Sequence, residues 1–190
     1  MKDQAIKNGQ LRIIGGKWRS RKVTFLDAEG LRPTPDRVRE TLFNWLAPYI
    51  EGANTLDLFT GSGALSIEAL SRGAACATLL DVNSKVIDQL RVQLQLLNCE
   101  NSKLVNQDAT QFLQPLCKQP FDIVFLDPPF RQNLLERSCA LLAQNGWLTN
   151  QAWIYIESEI APSQFQLPTH WQLYKEKKAG QVFYALWQAI

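Results

Sequence analysis

The chain has 190 residues, 46% of them hydrophobic and 20% charged, with a net charge of +2. That length suffices for one domain with a sizeable core, since a domain of about 150 residues buries roughly 70% of the surface its unfolded chain exposes. The composition excludes a largely disordered or fibrous protein.

No apolar stretch approaches the roughly 18 to 20 residues of a membrane span, and the opening MKDQAIKNGQ lacks the apolar core of a signal peptide. The expectation is a cytosolic protein with no membrane partner. Cys76, Cys99, Cys117 and Cys139 form no C-x-x-C pair, which argues against a zinc knuckle or redox dithiol and predicts buried thiols. His170 is the only histidine and is expected on the surface at a hairpin edge. Histidine triads and multi-histidine metal centres are therefore hard to build, and no metal site is expected.

The small net charge conceals an asymmetry. Residues 1–40 hold ten basic residues (Lys2, Lys7, Arg12, Lys17, Arg19, Arg21, Lys22, Arg32, Arg37 and Arg39) against five acids, a net +5, and the remaining 150 residues carry −3. A basic arm on a near-neutral body suits a polyanionic partner.

In chain order, LRIIGGKWRSRKVTF predicts two short strands, 11–14 and 22–25, joined through Gly15-Gly16 and a basic loop holding Trp18. TPDRVRETLFNWLAPYI predicts an amphipathic helix with Thr34 as N-cap, Pro35 at the first helical position, and Val38, Leu42, Trp45, Leu46 and Tyr49 on one face. From Asn54 short apolar runs alternate with amphipathic stretches. The strand candidates are 55–59, 77–81, 102–106, 121–127 and 153–158, and the helix candidates are 64–72, 84–98, 109–116 and 132–144. Such alternation signals a parallel sheet with helices on both faces, whose ligands bind beyond the carboxyl ends of the strands at the topological switch point. HWQLYKEKKAGQVFYALW, with a turn at Lys177 to Gly180, predicts a closing antiparallel hairpin. The fold expected is a Rossmann-like α/β domain over residues 1–190, with a mostly parallel seven-stranded sheet and an N-terminal hairpin over residues 1–34 as an appendage.

The strongest local signal is LDLFTGSGALSIEA, where an apolar run enters Gly61-Ser62-Gly63 and then a helical pattern. Small residues there let a ligand approach the backbone and the helix N-terminus. G-x-G turns also serve dinucleotides, but Ser66 stands at the third glycine position, so the fit to a nicotinamide site is imperfect. Asp57, Asp81 and Asp108 fall at or near the carboxyl ends of successive strands. Asp81 suits ribose hydroxyls and Asp108 an adenine amino group, while Asp57 lies near whatever replaces phosphates. Each taken singly could equally be a helix N-cap. Residues 60–67 contain no Lys or Arg, so the pocket suits a ligand without phosphates, such as S-adenosylmethionine.

The alternation places Asp127-Pro128-Pro129-Phe130 at the carboxyl end of the fourth of these strands, beside the glycine loop. Prolines fix φ and lack N–H donors, so this corner presents rigid carbonyl acceptors. An amine held by the Asp127 carboxylate and the Pro128 carbonyl would have its lone pair turned toward a methyl sulfonium, with Phe130 stacked on the base that bears it.

The tetrad resembles the signature of class I methyltransferases that act on exocyclic amines: Asp, Asn or Ser, then Pro-Pro, then an aromatic. More narrowly, RIIGGKWRSRKV, RPTPDRVRETLFNWL, LDLFTGSGALSIEALSRGA, FDIVFLDPPF and GQVFYALW, spread over almost the whole chain, resemble the RsmD family of bacterial 16S rRNA guanine-N2 methyltransferases. The resemblance implies methylation of guanine 966, with S-adenosylmethionine as donor and 16S rRNA in an assembled or partly assembled small subunit as substrate. It implies that Phe59, Gly61 and Gly63 with Asp57 form the cofactor loop, that Asp81 is the ribose acid and Asp108 the adenine contact, and that Asp127 to Phe130 form the catalytic corner. Arg32 and Thr34 of RPT would close over the methionine end of the donor. One departure from the family's expected pattern is Val82-Asn83 after Asp81, where an aromatic or basic neighbour of the ribose would be anticipated.

The expected mechanism is in-line methyl transfer without a covalent enzyme intermediate, since no cysteine lies near the tetrad. Asp127 would orient the amine and offset its developing charge, with most of the rate gain from positioning rather than from proton abstraction. The target guanine would be unpaired or extruded from its stack. Arg12, Lys17, Arg19, Arg21, Lys22, Arg37 and Arg39 would contact phosphates in a salt-dependent manner. Nothing in the sequence demands a dimer, and a monomer is expected. Three rivals remain: a DNA adenine-N6 or cytosine-N4 methyltransferase, which would usually carry a recognition insert that this chain has no room for; a non-catalytic RNA-binding ribosome assembly factor; and, least favoured, a dehydrogenase.

Overall fold

The computed structural model describes residues 8–26, 34–129 and 134–190. The basic N-terminal stretch forms a hairpin in which Asn8–Arg12 (β1) pairs antiparallel with Lys22–Leu26 (β2) across a 3-10 turn at Gly16–Trp18. Asp36–Leu46 (α1) follows. Thr34 is not its N-cap: Pro35 occupies that position without a side-chain cap, and the Thr34 hydroxyl is engaged elsewhere.

Five parallel strands then alternate with helices: Asn54–Asp57 (β3), Ala64–Ser71 (α2), Cys76–Asp81 (β4), Ser84–Leu96 (α3), Ser102–Asn106 (β5), Ala109–Phe112 (α4), Phe121–Leu126 (β6), Leu134–Gln144 (α5) and Leu148–Ser158 (β7). The hairpin of Trp171–Ala179 (β8) and Val182–Ala189 (β9) closes the sheet, turning through Gly180-Gln181 with Gly180 at φ 61°, as a two-residue hairpin loop requires. The sheet order is β5-β4-β3-β6-β7-β9-β8. The chain leaves β3 in one direction through β4 and β5 and returns on its other side with β6. The switch point therefore lies between the carboxyl ends of β3 and β6, where this fold places ligands.

The short helix α4 stops well before the expected residue 116 because Pro115 cannot continue it. Strand β7 begins earlier than its apolar core suggests, passing through polar Asn150 and Gln151, with a register shift against β6 opposite Phe121 to Ile123. Edge strand β8 is exposed over most of its length and carries Lys175, Lys177 and Lys178, charges that discourage pairing with another sheet.

Each sheet face has its own core. On one, Leu113, Leu135, Cys139 and Leu142 pack with Trp147 and Trp171 over Leu56, Val124, Ile154 and Ile156. On the other, Val38, Leu42, Phe43 and Leu46 of α1 cover Ile123, Phe125, Tyr155 and Leu186. Of the four cysteines only Cys139 is fully buried; the others are half-buried and unpaired, because they lie at strand or loop ends rather than on a core face. His170 is exposed.

The hairpin is docked on the body. Leu11, Ile13, Trp18, Val23 and Phe25 join Ile67, Leu70, Val86, Leu90 and Leu94 in a third core. Helix α2 is consequently buried at all eight positions, between hairpin and sheet. Its polar residues all find partners, as buried polar groups must. Ser71 Oγ donates to the Gly15 carbonyl at 2.5 Å and accepts from Trp18 N at 3.0 Å. Glu68 accepts from Ile14 N at 2.9 Å, Gly15 N at 2.8 Å, Arg72 Nε at 2.7 Å and Arg39 at 3.5 Å. Gly16, at φ 75°, sits so close that a Cβ there would lie 1.8 Å from the Ser71 carbonyl oxygen.

Candidate active site

The glycine loop is suspended between two strands. Leu58 N donates to the Phe125 carbonyl of β6 at 3.2 Å, and Thr60 N to the Leu80 carbonyl of β4 at 2.9 Å. Gly61 and Gly63 adopt φ of 47° and 74°, and a Cβ on Gly63 would come within 2.5 Å of Leu90. Only glycine fits this turn into α2 without strain.

Carboxylates gather along the rim. Asp57 ends β3, buried at 2% exposure, and accepts from Ser66 Oγ at 2.8 Å. Burial pushes its carboxyl up to about 6, with the Ser66 hydroxyl acting in the opposite direction. Asp81 ends β4. Its two oxygens accept one backbone amide each, Gly61 N at 3.1 Å and Asn83 N at 2.8 Å, and partial burial raises its proton affinity. Asn83 is the N-cap of α3, accepting from Lys85 N, while Val82 is 74% exposed. A helix start thus accounts for the Val82-Asn83 pair. Asp108 caps α4 through one oxygen, Oδ1, which accepts from Thr110 Oγ1 at 2.6 Å and Gln111 N at 2.9 Å. The Thr110 hydroxyl, then the Gln111 amide, hold its carboxyl below the ordinary value.

Asp127 follows directly on β6, whose residues Thr55↔Ile123 to Asp57↔Phe125 pair with β3, so the Asp-Pro-Pro corner adjoins the glycine loop. Pro128 is buried and Pro129 exposed, while Phe130 lies outside the described residues. No hydrogen-bond donor among the described residues reaches the Asp127 carboxylate. Burial, then the charges of Glu157 and Asp57, drive its proton affinity well above that of an ordinary aspartate.

Glu157, near the carboxyl end of β7, is a site residue that sequence reasoning misses. It is 6% exposed and accepts from Thr34 Oγ1 and Tyr155 Oη, both at 2.9 Å. Burial raises its proton affinity and the two hydroxyls lower it. The signal is present in WIYIES, a strand with an acid one residue before its end, close to the criterion that singles out Asp57 and Asp81.

The expected phosphate contacts divide. Arg12, Lys17, Arg19, Arg21, Lys22 and Arg37 are exposed, five of them on the hairpin. Arg39 is a correction: at 1% exposure it cannot reach a phosphate. Its guanidinium pairs with Asp36 at 2.6 Å and Glu68 at 3.5 Å and donates to the carbonyls of Thr34 and Arg12, tying α1 to the hairpin and α2. Arg32 lies outside the described residues.

A doubly wound sheet closed by an antiparallel hairpin, with a glycine loop and an Asp-Pro-Pro corner facing each other across the switch point, is the Rossmann-like fold of the class I methyltransferases. The family model described as conserved hypothetical protein 95 matches residues 11–188. Ribosomal RNA small subunit methyltransferase D of Escherichia coli is 54% identical over 181 residues, 95% of this chain and 91% of that protein. The solved structure of Escherichia coli yhhF superposes with a TM-score of 0.88 at 53% identity, covering 95% of this chain and 98% of that one. The T. thermophilus 16S rRNA N2 methyltransferase RsmC, solved with AdoMet and guanosine, shares the fold at a TM-score of 0.69 and 18% identity, over 97% of this chain and 51% of that one. The chain belongs to the RsmD family of methyltransferases.

Proposed function

We propose that the protein transfers a methyl group from S-adenosylmethionine to the exocyclic N2 of a guanine in small-subunit rRNA, the guanine 966 type of reaction, acting as a cytosolic monomer on an assembled or partly assembled subunit. The observation that carries this reading is the Asp127 carboxylate at the Asp-Pro-Pro corner, without a donor or cation among the described residues and immediately beside a glycine loop that bears no cation. Membership of a family whose relatives are named for rRNA methylation supports the substrate class. None of the helices among the described residues is long and apolar enough to cross a membrane.

The rim fits this donor. Each Asp81 oxygen accepts only one amide and keeps lone-pair capacity for ribose hydroxyls, while Asp108 Oδ2 is left for an adenine amino group and Val82 offers an exposed apolar face beside them. Gly61, Gly63 and Asp57 would line the approach of the amino-acid end, together with Phe59, Thr34 and Arg32. Bound there, the donor supplies an electrophilic methyl on a sulfonium. Asp127 and the Pro128 carbonyl hold the guanine amine in line with it, and Phe130 stacks on the base. The hairpin cations and Arg37 contact phosphates.

The test is transfer of labelled methyl from S-adenosylmethionine to small subunits lacking modifications, followed by digestion to nucleosides. Label is expected in N2-methylguanosine and absent with Asp127→Ala. No label from wild type, with donor binding demonstrated, would favour a DNA substrate or an assembly factor that keeps the fold as a scaffold.

A further inference from the structure

In the pairing of β6 with β7 the last registered pair is Leu126↔Ile156, so Asp127 and Glu157 are the next residues on two strands about 4.8 Å apart. Alternation puts both on the side of Phe125 and Tyr155, whose rings meet at 6.4 Å. Two carboxylates thus face one another at the corner where the amine would sit, yet an acceptor that merely orients an amine needs only one.

Among the described residues the groups that face the pair are acidic or neutral. Asp57 faces the pair from β3, Tyr155 from β7 itself and Tyr184 from the paired position of β9, while the Thr34 hydroxyl reaches in from the start of α1. The five ion pairs among the described residues include neither carboxylate. The two members differ in their partners: Glu157 has two hydroxyl donors that favour its charged form, and Asp127 has none among the described residues. Like charges at this spacing cannot both ionise freely and bind protons as a unit.

We propose that Asp127 and Glu157 act as one carboxylate dyad, in which Asp127 receives the proton shed by the methylated amine and Glu157, anchored by Thr34 and Tyr155, is the positioning residue that holds negative charge beside it. This rests on the methyl-transfer reading above. The amine lone pair forms the new N–C bond as the methyl–sulfur bond breaks with its electron pair on sulfur. The N–H pair then returns to nitrogen as the proton passes to an Asp127 oxygen. Thioether and methylated amine leave neutral, and the proton that remains on the dyad passes to solvent before the next turnover. A lone carboxylate is a weak base, and the neighbouring charge makes Asp127 a stronger one.

The experiment is the pH profile of single-turnover methyl transfer to guanine N2 by wild type, Glu157→Gln, Glu157→Asp and Tyr155→Phe, with donor binding as the check on folding. Wild type should lose rate as pH falls and the dyad takes up its proton. Glu157→Gln removes the like charge, so this acid limb should move down by about one pH unit or more, with a plateau rate lower by roughly tenfold. Glu157→Asp should restore part of both. Tyr155→Phe keeps both carboxylates but removes a donor to charged Glu157, so its limb should move up, a direction that a general loss of packing would not produce. Superimposable limbs in wild type, Glu157→Gln and Tyr155→Phe would overturn the dyad while leaving methyl transfer standing. If wild type labels no guanine N2, methyl transfer itself fails and the dyad falls with it.

Discussion

Two acidic clusters in this molecule use the same functional group in opposite ways. Under the hairpin, Glu68 is saturated, with two backbone amides and the guanidinium groups of Arg39 and Arg72 around a side chain of 0% exposure. At the sheet rim, among the described residues, Glu157 has hydroxyl partners, Asp57 has hydroxyls and the Phe59 amide, Asp127 has no donor, and no cation forms an ion pair with any of the three. The first arrangement uses the charge to fix three segments together. The second holds it under desolvation, which is how reactive groups acquire shifted proton affinities. Pairing separates the carboxylate that builds from those that react better than burial does.

The contrast is sharpest at Glu68. Glu68→Ala should destabilise the fold by about 4 kcal/mol, because it leaves Arg39 and Arg72 short of a counter-charge in the interior. With each kcal/mol worth roughly 2 to 4 °C in a chain of this size, Tm should fall by on the order of 10 °C in a thermal melt. A melt unchanged within error would mean the network is ornamental. Asp127→Asn should do the reverse, leaving donor binding near wild type and Tm unchanged or higher while lowering the methyl-transfer rate by about 10² to 10³, the usual loss when a preorganised polar contact to the reacting group is removed. A variant that loses stability in proportion to activity would erase the distinction between the two sites.

Asp57 tests the rim from the side of stability. Its folded value of about 6 lies above the ordinary 3.8, so the folded protein binds this proton more tightly than the unfolded chain does. The stability it contributes is present below pH 4 and is lost as pH rises through 6, a cost on the order of 3 kcal/mol once both states are ionised. Asp57→Asn should therefore gain on wild type in melts as pH goes from about 4 to 7. A constant difference would mean that Asp57 is compensated as fully as Glu68. The smallest effect is expected on the surface. Replacing exposed Arg19, Lys22 and Arg37 with alanine should leave Tm unchanged and make RNA binding less sensitive to salt. For each phosphate no longer neutralised, the slope should shrink by about 0.7 to 0.9, measured by filter binding across a salt series.

The sheet, the glycine loop and the Asp-Pro-Pro corner are legible in the sequence because they depend on local periodicity and on residues whose backbone preferences are strong. Long-range pairing is not. Arg39 reads as one more cation of a basic segment, and only the fold brings Glu68, 29 positions away, against it. Glu68 itself lies in ALSIEALS, where a helix surrounded on all sides is required before a lone acid must find partners. Thr34 has the chemistry of an N-cap, yet its hydroxyl goes to Glu157, 123 positions distant. Glu157 obeys the strand-end rule but is hidden by the apolar run before it, which reads as plain core. In each case the missing information is a partner brought by topology, which no window along the chain contains.

The close approach at Gly16 bears on how a large RNA would be read. A methyl group at that position would overlap the Ser71 carbonyl oxygen, and the neighbouring Gly15 amide is bound to Glu68, so the cationic hairpin is bolted to the helix that rises from the glycine loop. For an enzyme of the proposed kind, the hairpin is then a ruler and not a tether. The separation between gripped backbone and reacting amine is machined into the protein, and a substrate is accepted when its own folded shape spans that gauge.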